Sequence, residues 1–381
     1  MPLSRRGFLR SATLATAASA VLELPSLAAS PQVDAAHSGD IPPNAIKLSN
    51  NENAYGPSPK SLAAMQMAVA EGNRYPDRYT RQLIESIAAH HKVTTDRVVL
   101  GCGSMEILRM ATAAFLGPGK ALLMAQPTFE AIGAYAKPMG AEITFVPLDS
   151  NYAHDLNAML AHAAQQPSLI YICNPNNPTA TLTPRKDLET FLSKAPANAV
   201  VLMDEAYHHF AIGAPGYESF LDRPVENERL IVCRTFSKIY GLAGMRIGYA
   251  IAQGEALKRL RAFRSIENQN VAGVRAAQAG MADQDYVHMA IRRNAADRQE
   301  FFTQAQRRGL KLIESHANFV MMNASRPAPA VIEFFKRQDI EIGRKFPPMD
   351  DYVRISLGKP GEMRHFWQAW DQMTRAIPAS S

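Results

Sequence analysis

From Asp96 onward, short continuous apolar runs alternate with longer stretches of helical spacing. The runs cover 98–100, 121–124, 143–146, 169–172, 200–203, 230–233 and 247–250. Unbroken apolar runs, rather than alternating ones, mark strands covered on both faces. Helical segments are expected between them, at 104–115 and 185–192 among others. Seven strands alternating with helices predict an α/β architecture around a mostly parallel, doubly wound seven-stranded sheet. Past about Leu257 the pattern turns helix-rich. Two further strands are expected near 319–322 and 353–356, then a closing helix carrying Phe366, Trp367 and Trp370. That tail reads as a smaller α+β domain.

Five of the apolar runs end in polar clusters: Gly101-Cys102-Gly103-Ser104, Gln126-Pro127-Thr128-Phe129, Asn174-Pro175-Asn176-Asn177-Pro178, Asp204-Glu205-Ala206-Tyr207 and Arg234-Thr235-Phe236-Ser237-Lys238. Open α/β sheets bind ligands at the carboxyl ends of their strands. Five clusters at five strand ends therefore predict one shared site.

Composition narrows the class. Of 381 residues, 47% are hydrophobic and 20% charged, which excludes a disordered or collagen-like chain. Three cysteines cannot build a disulfide framework. The 41 Lys and Arg against 35 Asp and Glu leave a net charge of +6, too thin and scattered to point to nucleic acid.

That charge is uneven. Arg5, Arg6 and Arg10 precede any acid, and a small-residue apolar stretch runs from Ala12 to Leu22. Ala18-Ser19-Ala20 and Leu27-Ala28-Ala29 supply small-residue cleavage sites. This is the layout of a secretory signal. Ser4-Arg5-Arg6-Gly7-Phe8-Leu9 resembles the twin-arginine type, and an exported, periplasmic protein is expected. The stretch is too short and weakly apolar for stable membrane insertion. Cleavage after Ala29 would remove a net +2 and leave 352 residues carrying +4. The expected organisation is a signal peptide at 1–29, an N-terminal arm at 30–74, a large ligand-binding domain at 75–260, and an interdomain helix with a small domain at 261–378.

The clusters carry recognisable chemistry. Thr235, Ser237 and Arg246 suit a phosphate dianion, with the guanidinium forking onto two oxygens. Lys238 beside them can form a Schiff base with an aldehyde if its pKa is lowered; a lone lysine is more often a solvated charge. Asp204 ends a wholly apolar strand, and a buried carboxylate needs a partner. A protonated pyridine nitrogen is one such partner, a helix cap or structural ion pair another. Gly103-Ser104-Met105-Glu106, where strand meets helix, can offer amides to phosphate, or Ser104 can simply cap the helix. Phe129 can stack on a flat ring or serve as core.

As a set, these motifs resemble the fold-type I pyridoxal-phosphate enzymes, specifically the class I/II aminotransferases near histidinol-phosphate aminotransferase. The resemblance runs from Leu48-Ser49-Asn50-Asn51-Glu52-Asn53-Ala54-Tyr55-Gly56-Pro57 to Arg354-Ile355-Ser356-Leu357-Gly358. It implies pyridoxal 5'-phosphate as cofactor and a ping-pong exchange between amino-acid and 2-oxo-acid substrates. A decarboxylase, cyclase or oxidase on the same scaffold is the alternative outcome. Lys238 looks like the Schiff-base lysine and proton shuttle, Asp204 like the ring-nitrogen partner, and Tyr207 and Asn177 like donors to the ring oxygen. Phe129 matches the stacking aromatic. Ser104, Met105, Glu106, Thr235, Ser237 and Arg246 match the phosphate cradle. Arg354 matches the arginine that grips the substrate's α-carboxylate, and Tyr55, Asn318 and Arg344 the rest of the substrate site. Tyr75 matches a tyrosine reaching the phosphate of a second subunit, which implies a homodimer with shared sites.

Three departures stand out. Ala180 replaces the usual glycine of Asn-Pro-Thr-Gly, which would be strained at positive φ. Ala54 replaces a proline, and Gly343 a valine before Arg344. The pairs His90-His91 and His208-His209 lack metal-ligand spacing, and no metal is expected. His208 and His209 follow Tyr207 and could line the pocket. Cys102, Cys173 and Cys233 stand near strand ends as buried packing.

Overall fold

The computed structural model describes residues 44–165 and 167–377. The signal-like segment therefore lies outside the described residues. Eleven strands occur among those described: β1 (Ile46–Leu48), β2 (Val98–Cys102), β3 (Ala121–Gln126), β4 (Glu142–Pro147), β5 (Leu169–Cys173), β6 (Val200–Asp204), β7 (Leu230–Thr235), β8 (Ile247–Ile251), β9 (Phe319–Asn323), β10 (Ile340–Ile342) and β11 (Tyr352–Ser356).

Seven of them form one sheet in the order β2-β8-β7-β6-β5-β3-β4. β8 runs antiparallel to both its neighbours, and the remaining pairings are parallel. The unbroken apolar runs have the expected cause. Along β5 and β6, Ile170, Ile172, Val201 and Met203 enter one hydrophobic cluster, while Tyr171, Cys173 and Leu202 enter another on the opposite face. Side chains alternate with period two, so burying both faces demands apolar residues at every position. Helix Ser104–Phe115 covers the second face through Ile107, Leu108 and Ala111.

A third cluster gathers the C-terminal elements. Helix Pro360–Ala376 buries Phe366, Trp367 and Trp370 beside Phe301 and Phe335. The rings of Phe335 and Phe366 stack with centroids 5.0 Å apart. β9 and β11 pair antiparallel beneath them. β10 takes its partner from the other end of the chain, pairing parallel with β1 through Ile46 and Ile340. A three-residue strand at 46–48 carries too little pattern to be anticipated from sequence, and only this long-range pairing defines it.

Candidate active site

The carboxyl ends of β5, β6 and β7 open into a cavity of about 460 Å³. Its walls hold Ser104, Met105, Phe129, Asn177, Asp204, Tyr207, Thr235, Ser237, Lys238, Arg246, Arg344 and Arg354. Twelve residues from seven separate stretches of chain thus meet in one place.

Lys238 follows β7, half-buried, and its Nζ donates to the carbonyl of Asn50 at 3.0 Å. Removal from water, then the nearby Arg354 and Arg246, pull its ammonium down to about 8, against the opposing pull of Glu52 and Asp204. Asp204 closes β6, fully enclosed. Tyr171 donates its hydroxyl to Oδ2 at 2.9 Å, and the Ala206 amide donates to Oδ1 at 3.1 Å. Burial still raises the carboxyl to about 6, because two hydrogen bonds do not replace hydration.

Arg354, on β11, donates to Asn177 Oδ1 at 2.6 Å and to the Ser49 carbonyl at 2.5 Å. Its Nε is buried without a partner. Burial lowers the guanidinium to about 10, so it is charged at neutral pH and ready for an anion. Asn177 gives only its oxygen to Arg354 and keeps its amide hydrogens for the cavity. Tyr207 accepts from Asn51 Nδ2 at 3.0 Å, which leaves its own proton to donate, and burial pushes the phenol well up.

A second group is built for an anion. Thr235 donates to Ser237 Oγ at 2.9 Å, and Arg246 reaches the same oxygen at 3.4 Å. The N-terminus of helix Ser104–Phe115 adjoins them. The closeness is enforced by glycines: a Cβ on Gly103 would lie 2.3 Å from Arg246 Nη2, and one on Gly248 2.4 Å from the Ser104 nitrogen. Hydroxyls, a guanidinium and free helix amides are the donor set for a phosphate. With an amine of lowered pKa and a buried carboxylate in the same cavity, the residues fit a phosphorylated pyridine aldehyde.

Other expected residues lie elsewhere. Glu106 is buried on its helix, accepts from the Cys102 amide at 2.5 Å and from Asn268, and is not on the wall of this cavity. Asn318 sits behind the wall and donates to the carbonyls of Asn51 and Glu52 at 3.0 and 3.2 Å. Tyr55 occupies a neighbouring small cavity and donates to Asp297 at 3.0 Å. Tyr75 is 74% exposed. His208 and His209 do not line the cavity: they bond Tyr217 and Tyr240 and pack by a buried Arg234–Glu205 pair. The turn after Tyr207 carries them away from the strand ends. Cys233 lies within β7, two residues before its end, whereas Cys173 lines the cavity. Among the described residues no cluster of metal-binding side chains occurs.

Sequence reasoning passed over Asn50, Asn51 and Glu52 as wall residues and Tyr171 as the partner of Asp204. The first three lie in a quoted motif but with no role attached. Tyr171 was hidden in an apolar run, although a period of two from Cys173 puts both on the face of Asp204. Ala180 adopts φ +63 and is wholly buried, so the strain expected of that substitution is present.

Fold and site together define an aminotransferase of the pyridoxal-phosphate type. The chain belongs to the family Aminotransferase class I and II, whose pattern matches residues 43–369, and its cofactor is pyridoxal 5'-phosphate. It is 36% identical to histidinol-phosphate aminotransferase 2 of Carboxydothermus hydrogenoformans, over 85% of this chain and 89% of that protein. It is 37% identical to an aromatic amino acid aminotransferase of Rhodococcus jostii, over 84% of this chain and 88% of that one. Among solved structures, histidinol-phosphate aminotransferase of Sinorhizobium meliloti in complex with pyridoxal-5'-phosphate superposes with a TM-score of 0.82. The two are 25% identical, over 87% of this chain and 91% of that one.

Proposed function

We propose that this transaminase moves the amino group of a substrate with a planar side chain, an aromatic amino acid or histidinol phosphate, to a 2-oxo acid. The observation that carries the reading is Lys238: an amine with a lowered pKa, sharing one cavity with Asp204, Arg354 and a phosphate-type cradle. Pyridoxal phosphate, when bound, supplies an aldehyde that condenses with amines and a ring that draws electrons from the substrate's α-carbon.

The chain's own residues do the rest. Thr235, Ser237, Arg246 and the amides at Ser104 hold the phosphate, with Met105 against them. Asp204, ionised above about pH 6, retains the proton on the ring nitrogen. Asn177 and Tyr207, on the same wall, would donate to the ring oxygen, and Phe129 would stack on the ring. Arg354, on the cavity wall, would grip the substrate's carboxylate and orient the α-hydrogen. Lys238 Nζ would take that proton and hold it for return to the carbon on the other side of the transferred nitrogen. A lysine with a pKa near 8 does this close to neutral pH, where proton transfer in both directions is efficient.

Two further readings belong to the same proposal. Tyr75 is exposed, as are Met67 and Val69 a few residues before it in the chain, apolar side chains that a second copy could cover. Such a homodimer would bring Tyr75 to the phosphate site of its partner. The sequence of the N-terminus supports export through the twin-arginine route.

A donor screen of the purified protein tests the reaction. An amino acid alone should convert the visible band of the cofactor to that of the amine form, and a 2-oxo acid should restore it. Steady turnover on one amino acid with oxygen uptake, or carbon dioxide release, would replace the transaminase reading. Borohydride should trap the visible band on Lys238, and Lys238→Ala should abolish the trapping.

A further inference from the structure

We infer that Glu130 sets substrate preference by neutralising Arg344, so that the cavity takes an uncharged side chain in preference to a phosphate ester. The inference rests on the aminotransferase reading and names its substrate class. It starts from the acidic and basic side chains on the cavity wall: Glu52, Asp204, Lys238, Arg246, Arg344 and Arg354. The cofactor's ring, aldehyde and phosphate engage Asp204, Lys238 and Arg246. The substrate's carboxylate engages Arg354. Only Arg344 and Glu52 remain for the far end of the substrate.

Arg344 is not free. Its Nη2 lies 2.5 Å from Glu130 Oε1, and its Nη1 donates to the Lys345 carbonyl at 2.8 Å. Its flat face covers the ring of Phe346, with Cζ 4.3 Å from the centroid. Each terminal nitrogen and one face therefore already has a partner, and a dianion would have to compete with the Glu130 carboxylate for the guanidinium's charge. Phe346 also receives the Arg354 guanidinium, at 4.6 Å, and is itself nearly buried. Glu52, exposed and in no ion pair among the described residues, adds a negative charge to the same wall. The balance left for the side chain is negative, with an aromatic ring between two guanidiniums. Like charge facing an incoming anion disfavours it, while an uncharged flat group loses nothing there.

The test uses two unreactive carboxylates on the holoenzyme, 3-phenylpropanoate and 3-phosphonopropanoate, with binding measured by calorimetry. Either orientation of the second places an anion at Arg344. The phenyl compound should bind at least about tenfold more tightly, and Glu130→Gln should shrink that ratio by about tenfold. Glu130→Asp, which keeps the charge, should hold the ratio near the original. Tighter binding of the phosphonate to the unaltered enzyme, or a ratio that Glu130→Gln moves by less than about twofold, would overturn the proposal. Amine-driven conversion of the visible band is recorded in parallel. No conversion with any amine removes the aminotransferase reading itself; normal conversion with an unmoved ratio removes only the role of Glu130.

Discussion

Removing one hydroxyl, in Tyr171→Phe, should shift the pH range over which the protein holds its cofactor. Tyr171 is fully buried and donates to Asp204 Oδ2 at 2.9 Å. Burial holds the Asp204 carboxyl at about 6, and this hydrogen bond is the largest influence pulling it down. A hydrogen bond to a charged group is worth about 1.5–3 kcal/mol, and one pKa unit corresponds to about 1.4 kcal/mol. Loss of the bond should therefore raise Asp204 by about one to two units, to between about 7 and 8. The sign follows directly. Only the ionised carboxylate pairs with a protonated ring nitrogen, so affinity is full above the carboxyl's pKa and falls as pH drops through it. In the unaltered protein the fall is expected near pH 6; in the variant it should begin one to two units higher, so that at pH 7 affinity is lost about two- to tenfold. The assay is titration of apo-protein with pyridoxal phosphate across pH 5 to 9, read by fluorescence quenching, beside the melting temperature of the apo-protein. A lower melting temperature with an unmoved pH midpoint would show that Tyr171 only packs, and would refute the reasoning.

Other consequences are more direct. Capture of pyridoxal phosphate by apo-protein requires the neutral amine of Lys238, so its rate should climb as pH rises through about 8 and then level off in stopped-flow absorbance. Arg354→Gln should raise KM for amino acids far more than it alters affinity for the cofactor, because Arg354 lines the cavity but bonds Asn177 and Ser49 and not the phosphate cradle. Glu205→Ala should cost about 3 kcal/mol in urea denaturation, since it leaves the buried Arg234 with only the half-exposed Asp222, 3.7 Å away, in place of its 3.0 Å partner. Ala180→Gly should leave stability within about 1 kcal/mol, the relief of strain at φ +63 offsetting the added chain entropy, whereas Ala180→Val should cost at least about 2 kcal/mol.

Much of this was written in local sequence. Strands buried on both faces leave no room for a polar position, so their runs are unbroken and visible; the seven runs from 98–100 to 247–250 became β2 to β8 in chain order, but β4, at the sheet edge, is not buried on both faces as expected, and Phe145 on it is 47% exposed. Polar clusters at their ends announced one site because a parallel sheet brings its carboxyl ends to one edge. Lys238, Asp204, Asn177 and Arg246 were legible for that reason: each is a polar residue where the pattern demands an apolar one or breaks it.

What tertiary structure decided is how those groups constrain each other, and that depends on contacts between residues far apart in the chain. Tyr171 looked like filler until pairing of β5 with β6 set it beside Asp204. Glu130 carried no signal in the sequence; only the fold brings Arg344, more than two hundred residues on, against it. Tyr55 is drawn aside by Asp297, and the histidines after Tyr207 turn into a buried ion-pair cluster. The pKa of Lys238 is likewise a property of the cavity and not of the residue: burial and Arg354, brought in from β11, lower it. Hydrophobic periodicity is a local signal and survives in sequence; electrostatic pairing falls off with distance in space, and only the folded chain sets that distance.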